Sequence, residues 1–120
     1  MRVCKTRWFV RCARRAGITD ARLMEAVARA ERGLVDADLG GGLIKQRVAR
    51  DGKGKSGGYR TLIAYRKADR AFFVFGFAKS RMENPPPDEL GFAGSLGEIL
   101  MEASGAWIAA SLMNGDIEEI

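Results

Sequence analysis

At Leu43 the pattern of this chain changes: in residues 43–49 apolar and polar positions alternate, whereas before it apolar positions recur every three to four. In residues 5–16, Trp8, Phe9, Cys12 and Ala16 fall on one side of a helix and Arg7, Arg11, Arg14 and Arg15 largely elsewhere; Gly17 stops it. Thr19 or Asp20 is placed to cap a second helix to about Arg32, with Leu23, Met24, Val27 and Ala30 inward and Gly33 at its end. Gly40, Gly41 and Gly42 mark a turn. In residues 43–49 the period is two: Ile44 and Val48 face one side, Lys45 and Arg47 the other.

Residues 51–58 are glycine-rich and predict a loop. Two further strands follow, residues 59–66 and 71–78, joined by a hairpin turn at residues 67–70. On the first, Tyr59, Thr61, Ile63 and Tyr65 share one face and Arg60 points the other way. On the second, Phe72, Phe73, Phe75 and Phe77 predict burial on both faces. Pro85, Pro86 and Pro87 end the sheet region. A helix from Asp88 to about Ala103 follows, interrupted by Gly91, Gly94 and Gly97, then a short one carrying Trp107, Ile108, Leu112 and Met113. Residues 116–120 read as a terminal strand or a loose tail. The expected class is α+β: two N-terminal helices packed on a small antiparallel meander, followed by a helical C-terminal segment. At 120 residues the length prior gives one domain, with a core over about 3–84 and an acidic extension over about 85–120.

Charge sharpens this picture. All 20 Lys and Arg lie in residues 1–81, with seven acids; residues 82–120 hold eight acids and no base. A strongly basic body suits a polyanion, and nucleic acid above all. The acidic end reads as a solvated helical face, a segment folded over the basic face, or a docking segment. No apolar run approaches the roughly 20 residues of a membrane span, and no signal peptide is recognised, so a cytoplasmic location is expected. Cys4 and Cys12, eight apart, are about two turns apart if helical, too far for a disulfide, and read as small buried thiols. With no histidine, no metal site is expected, and the commonest general base is missing.

The densest candidate chemistry runs from Lys45 to Arg60. Lys45 and Arg47 on one strand face stand about 7 Å apart, a spacing comparable to successive phosphates of a nucleic-acid strand. Lys53 and Lys55 ride the loop, and Arg60 carries a guanidinium fork suited to phosphate. Tyr59 and Tyr65 are candidates for base stacking or for the core. Lys79 and Arg81 leave the last strand beside the presumed groove. The string Gly54-Lys55-Ser56 is not a nucleotide-binding P-loop: Ala49 stands where the first glycine is required, and a strand follows rather than a helix. No nucleotide cofactor is expected. Attack of a ribose 2′-hydroxyl on the adjacent phosphate needs alignment and charge stabilisation, which Lys and Arg supply.

Three segments carry a resemblance: Ile44 to Ala49; Gly52-Lys53-Gly54-Lys55-Ser56-Gly57-Gly58-Tyr59-Arg60-Thr61; and Phe72 to Ser80. Over roughly residues 3–90 the chain resembles the RelE-like toxins of bacterial type II toxin–antitoxin pairs, in the branch with a long basic loop. The resemblance implies two N-terminal helices on an antiparallel sheet, and a toxin that enters the ribosome, cleaves mRNA and is held silent by a cognate antitoxin. It implies catalytic roles for Lys45, Arg47, Arg60 and Lys79, with Arg81 the candidate for the remaining catalytic arginine; Lys53, Lys55, Tyr59 and Tyr65 stay the candidate RNA contacts that the residues themselves offer, and no cofactor is expected. Ser80 stands where the family's arginine usually follows the lysine, Arg81 is one step on, and no tyrosine follows Tyr65. A gyrase poison of the related ParE type, or a protein that binds RNA or antitoxin without cutting, are the alternative readings.

Overall fold

A computed structural model describes residues 1–50, 58–82 and 84–120. Its elements run β1 (Arg2–Thr6), α1 (Arg7–Ala16), α2 (Asp20–Glu31), β2 (Ala37–Gly40), β3 (Leu43–Val48), β4 (Tyr59–Arg66), β5 (Arg70–Ala78), α3 (Pro87–Glu102), α4 (Gly105–Asn114) and β6 (Ile117–Glu119). The strands form one sheet in the order β2-β3-β4-β5-β1-β6. The class is α+β, as the periodicity indicates.

The antiparallel hairpins β3–β4 and β4–β5 are the expected meander. The sheet is nevertheless mixed and twice as wide as expected. β1 lies parallel to β5, with Arg2 opposite Arg70 and Lys5 opposite Phe73, and β6 closes antiparallel on β1. The helix expected from residue 5 therefore starts at Arg7. Thr6 ends the strand and caps the helix: its hydroxyl accepts from the Phe9 N–H and donates to the Val74 carbonyl. Cys4 and Cys12 therefore do not share a helix; Cys4 is a buried strand residue, and burial pushes its thiol up to about 11. In α2, capped by Thr19, the buried positions are Leu23, Ala26, Val27 and Ala30, while Met24 is 42% exposed.

β5 organises the layers. Seven consecutive residues, 71–77, are buried. The β4–β5 register shifts between Leu62 and Ile63, so Val74 and Phe75 both join the α3 side while Phe73 joins the α1–α2 side. Phe9, Ala13, Leu23 and Val27 cover one face with Ile44, Val48, Ile63 and Phe73. Ala93, Leu100 and Ile108 cover the other with Leu43, Leu62, Phe72 and Phe77. The last turn of α3 holds no basic residue. The sheet supplies the missing donors: Arg70 Nη1 reaches the Leu100 and Ala103 carbonyls at 3.0 and 2.8 Å, and Arg66 Nη2 the Met101 carbonyl at 3.0 Å.

The acidic C-terminus folds back on the N-terminus rather than on the Lys45 face. Asp116 pairs with Arg7, Glu118 with Lys5 and Glu119 with Arg2, at 3.4 to 3.8 Å. These pairs are largely exposed and each contributes at most about 1 kcal/mol. The backbone ladder and buried Ile117 fix β6 more firmly. At the opposite margin, Tyr65 donates a short hydrogen bond to Glu31, which also accepts from the Ala68 N–H; both hold the Glu31 carboxyl below the usual range. Among the described residues no helix is long and apolar enough to cross a membrane.

Gln46 is the buried polar pivot between α2, the α2–β2 connection and β3. It is fully buried, donates to the Ala26 and Leu34 carbonyls at 3.0 and 2.9 Å, and accepts from the Asp36 N–H at 3.0 Å. Gln46→Leu keeps most of the volume but orphans these three backbone groups. We expect urea unfolding to show a loss of about 2–4 kcal/mol; a loss below about 0.5 kcal/mol would contradict this role.

Candidate nucleic-acid interface

In the β3–β4 ladder Lys45 lies opposite Leu62 and Arg47 opposite Arg60. Since Leu62 packs on the α3 side, Lys45, Arg47 and Arg60 share that face. Arg60 in turn lies opposite Phe77 of β5, and Lys79 follows two residues after Phe77. The Lys79 N–H donates to the Gly58 carbonyl at 3.3 Å, which holds the end of β5 against the start of β4. Four of the five residues expected to be catalytic thus gather where β3 ends, β4 begins and β5 ends. Arg81, in the turn after β5, lines an adjoining cavity of about 340 Å³. Lys53 and Lys55 lie outside the described residues.

Like charges directly opposite on a sheet are destabilising, so the Arg47–Arg60 pair has a cost. Neither is neutralised: among the described residues no ion pair involves Lys45, Arg47, Arg60, Lys79 or Arg81. Arg2, Lys5, Arg7, Arg66 and Arg70, by contrast, all have acidic partners. Arg60 goes further. Its side chain is half-buried, and its Nη1 is buried with no hydrogen-bond partner. A desolvated guanidinium nitrogen without an acceptor costs about 1–3 kcal/mol.

The face is not an open sheet surface. Asn84 Oδ1 accepts from Lys45 Nζ at 3.0 Å, and Pro85 is buried. The chain leaving β5 therefore crosses the basic face before α3 begins. Pro87 at the first helical position, with its fixed φ, starts α3 there. Arg47 remains exposed at the rim; its N–H donates to Asp36 and its carbonyl accepts from Arg29.

Tyr59 and Tyr65 serve the packing. Tyr59 is 5% exposed, its hydroxyl donates to the Cys12 carbonyl at 3.4 Å, and its ring lies across Gly76, where an added Cβ would meet the ring at 2.4 Å. Burial raises its hydroxyl pKa. Tyr65 is engaged by Glu31. Arg15, near the C-terminal end of α1, escaped the sequence reading. It lines the same cavity as Arg81, a proximity created only by the packing of α1 beside the end of β5. Among the described residues no cluster of three or more metal-ligating side chains occurs.

Residues 1–120 match the family described as the RelE toxin of the RelE / RelB toxin–antitoxin system. No curated protein matches the chain.

The unsatisfied Arg60 predicts a trade between stability and binding. Arg60→Met keeps the apolar stem, removes the buried orphan nitrogen and relieves the repulsion with Arg47. Its unfolding free energy in urea should rise by about 1 kcal/mol. A loss of stability would show that Arg60 is a structural residue.

Proposed function

Because this chain belongs to the RelE family of toxins of toxin–antitoxin systems, whose partner is a cognate antitoxin, we propose that it acts by cleaving mRNA on the ribosome. The observation that carries this reading is the gathering of Lys45, Arg47, Arg60 and Lys79 at one sheet end, with no acidic partner among the described residues and one buried Arg60 nitrogen unsatisfied among them. In the reaction a ribose 2′-oxygen bonds to the adjacent phosphorus and the P–O5′ bond breaks. The 2′-hydroxyl loses its proton, the 5′-oxygen gains one, and a cyclic phosphate remains. Arg60 and Arg47 stabilise the charge on the equatorial oxygens, and Lys45 and Lys79 flank the entering and leaving oxygens. Preorganised donors of this kind act most strongly where water is excluded, and the half-burial of Arg60 supports its part in this reading.

Ser80 and the absence of a tyrosine after Tyr65 favour a second reading, a toxin-fold protein that binds RNA or antitoxin without cutting. Inducible expression in bacteria with mapping of transcript 5′ ends separates the two. The cleavage reading predicts growth arrest with new 5′ ends inside translated codons, reduced about 100-fold or more by Arg60→Ala. Arrest with intact transcripts would sink it, and DNA breaks would point to the gyrase-poison alternative. Undiminished growth with folded protein would support the binding reading.

A further inference from the structure

A cavity lies beside the end of β5, and the cleavage step described above assigns no role to its arginines. β1 pairs with β5 only as far as Phe73, and among the described residues no strand pairs with the second half of β5 on that side. α1 passes there instead, and the space left between them is about 340 Å³, within the roughly 300–1,000 Å³ of small-molecule sites. Its rim carries Arg15, Arg50 and Arg81, and its wall Phe77; Glu89 is its acid. Arg50 lies over the Tyr59 ring at 6.0 Å from the centroid, which orients one guanidinium at the mouth. Arg15 and Arg81 are exposed and form no ion pair among the described residues.

We propose that this cavity is a nucleotide subsite, in which Arg15 and Arg81 take a phosphate of the RNA strand and Glu89 accepts a hydrogen bond from its ribose hydroxyl or base amine. The guanidinium forks suit the oxygens of phosphate and carboxylate alike. The choice of a nucleotide rests on the apolar lining, which suits a flat base, and on Glu89, which can accept from a ribose hydroxyl or a base amine beside the phosphate. Position adds to these. Phe77, which forms the wall, is the ladder neighbour of Arg60. A strand crossing β3, β4 and β5 travels about 10 Å over two inter-strand spacings, and leads from Arg47 past Arg60 into the cavity. The proposal rests on the cleavage reading for the polymer involved; the cavity and its charges stand without it.

The test uses the full chain and two probes. Adenosine 5′-monophosphate is titrated while backbone amide shifts of Gly76 and Ala78, which line the cavity, are followed by NMR. A labelled oligoribonucleotide is then titrated across a salt series. Wild type should show saturable shifts at both amides. Arg15→Glu should abolish them, and Arg15→Lys should retain them with weaker affinity. Arg15→Glu should also weaken the oligoribonucleotide about tenfold and flatten its log–log salt slope by about 0.7, the single-strand value for one phosphate contact. Absent shifts, or shifts unchanged in Arg15→Glu, would overturn the proposal. An oligoglutamate peptide that perturbs the same amides more strongly than the nucleotide would also overturn it, assigning the cavity to a protein partner. If the mononucleotide binds there and the oligoribonucleotide binds nowhere, the subsite stands and the RNA-cleaving reading falls.

Discussion

β5 has two apolar faces, and each must be covered. That constraint sets the rest of the molecule. With Phe73 on one side and Phe72, Val74, Phe75 and Phe77 on the other, helices are required in front of and behind the sheet. The α1–α2 pair covers the first face. The second would expose several large apolar side chains if α3 and α4 were missing. The C-terminal extension is therefore part of the core, tied down by Arg66 and Arg70 at the end of α3 and by β6 on the outer edge of β1.

The same arrangement sorts the charges. Cations near the N-terminal strand and the β4–β5 turn are matched with Asp116, Glu118, Glu119 and Asp69. Among the described residues, Lys45, Arg47, Arg60 and Lys79 at the opposite end of the sheet form no ion pair. Keeping Arg47 against Arg60, and a guanidinium nitrogen buried without a partner, works against stability. Such local costs concentrate at functional sites, and here they coincide with the residues at which the family's chemistry is expected. Asn84, in the chain that leaves β5, holds the Lys45 ammonium, and Pro85 beside it is buried.

Much of this was legible in the sequence. The period-two alternation of residues 43–49 set Lys45 and Arg47 on the face opposite Ile44 and Val48, and set Arg60 on the face opposite Tyr59 and Thr61; that the two faces coincide comes from the β3–β4 register. Thr19 marked α2 through its capping side chain. What escaped was nonlocal. β1 and β2 are five and four residues long, β6 only three, and all take their identity from partners. β1 in particular is a strand because it lies parallel to β5, more than 60 residues away in the chain. For Tyr59 the sequence left base stacking and the core both open; Gly76 opens the space in which its ring lies in the interior. The cavity of Arg15 and Arg81 needed α1 and the end of β5 brought together, which no spacing reveals.

The central claim is that the unmatched cations of β3 and β4 are held for a single-stranded polyanion. The most direct measurement is the salt dependence of oligoribonucleotide affinity for wild type and for the Lys45→Ala/Arg47→Ala/Arg60→Ala protein. If the three cations each meet a phosphate, the log–log slope should flatten by about 2, at roughly 0.7 per contact, with at least about a hundredfold loss of affinity at low salt. An unchanged slope and affinity in a folded triple variant would contradict the account.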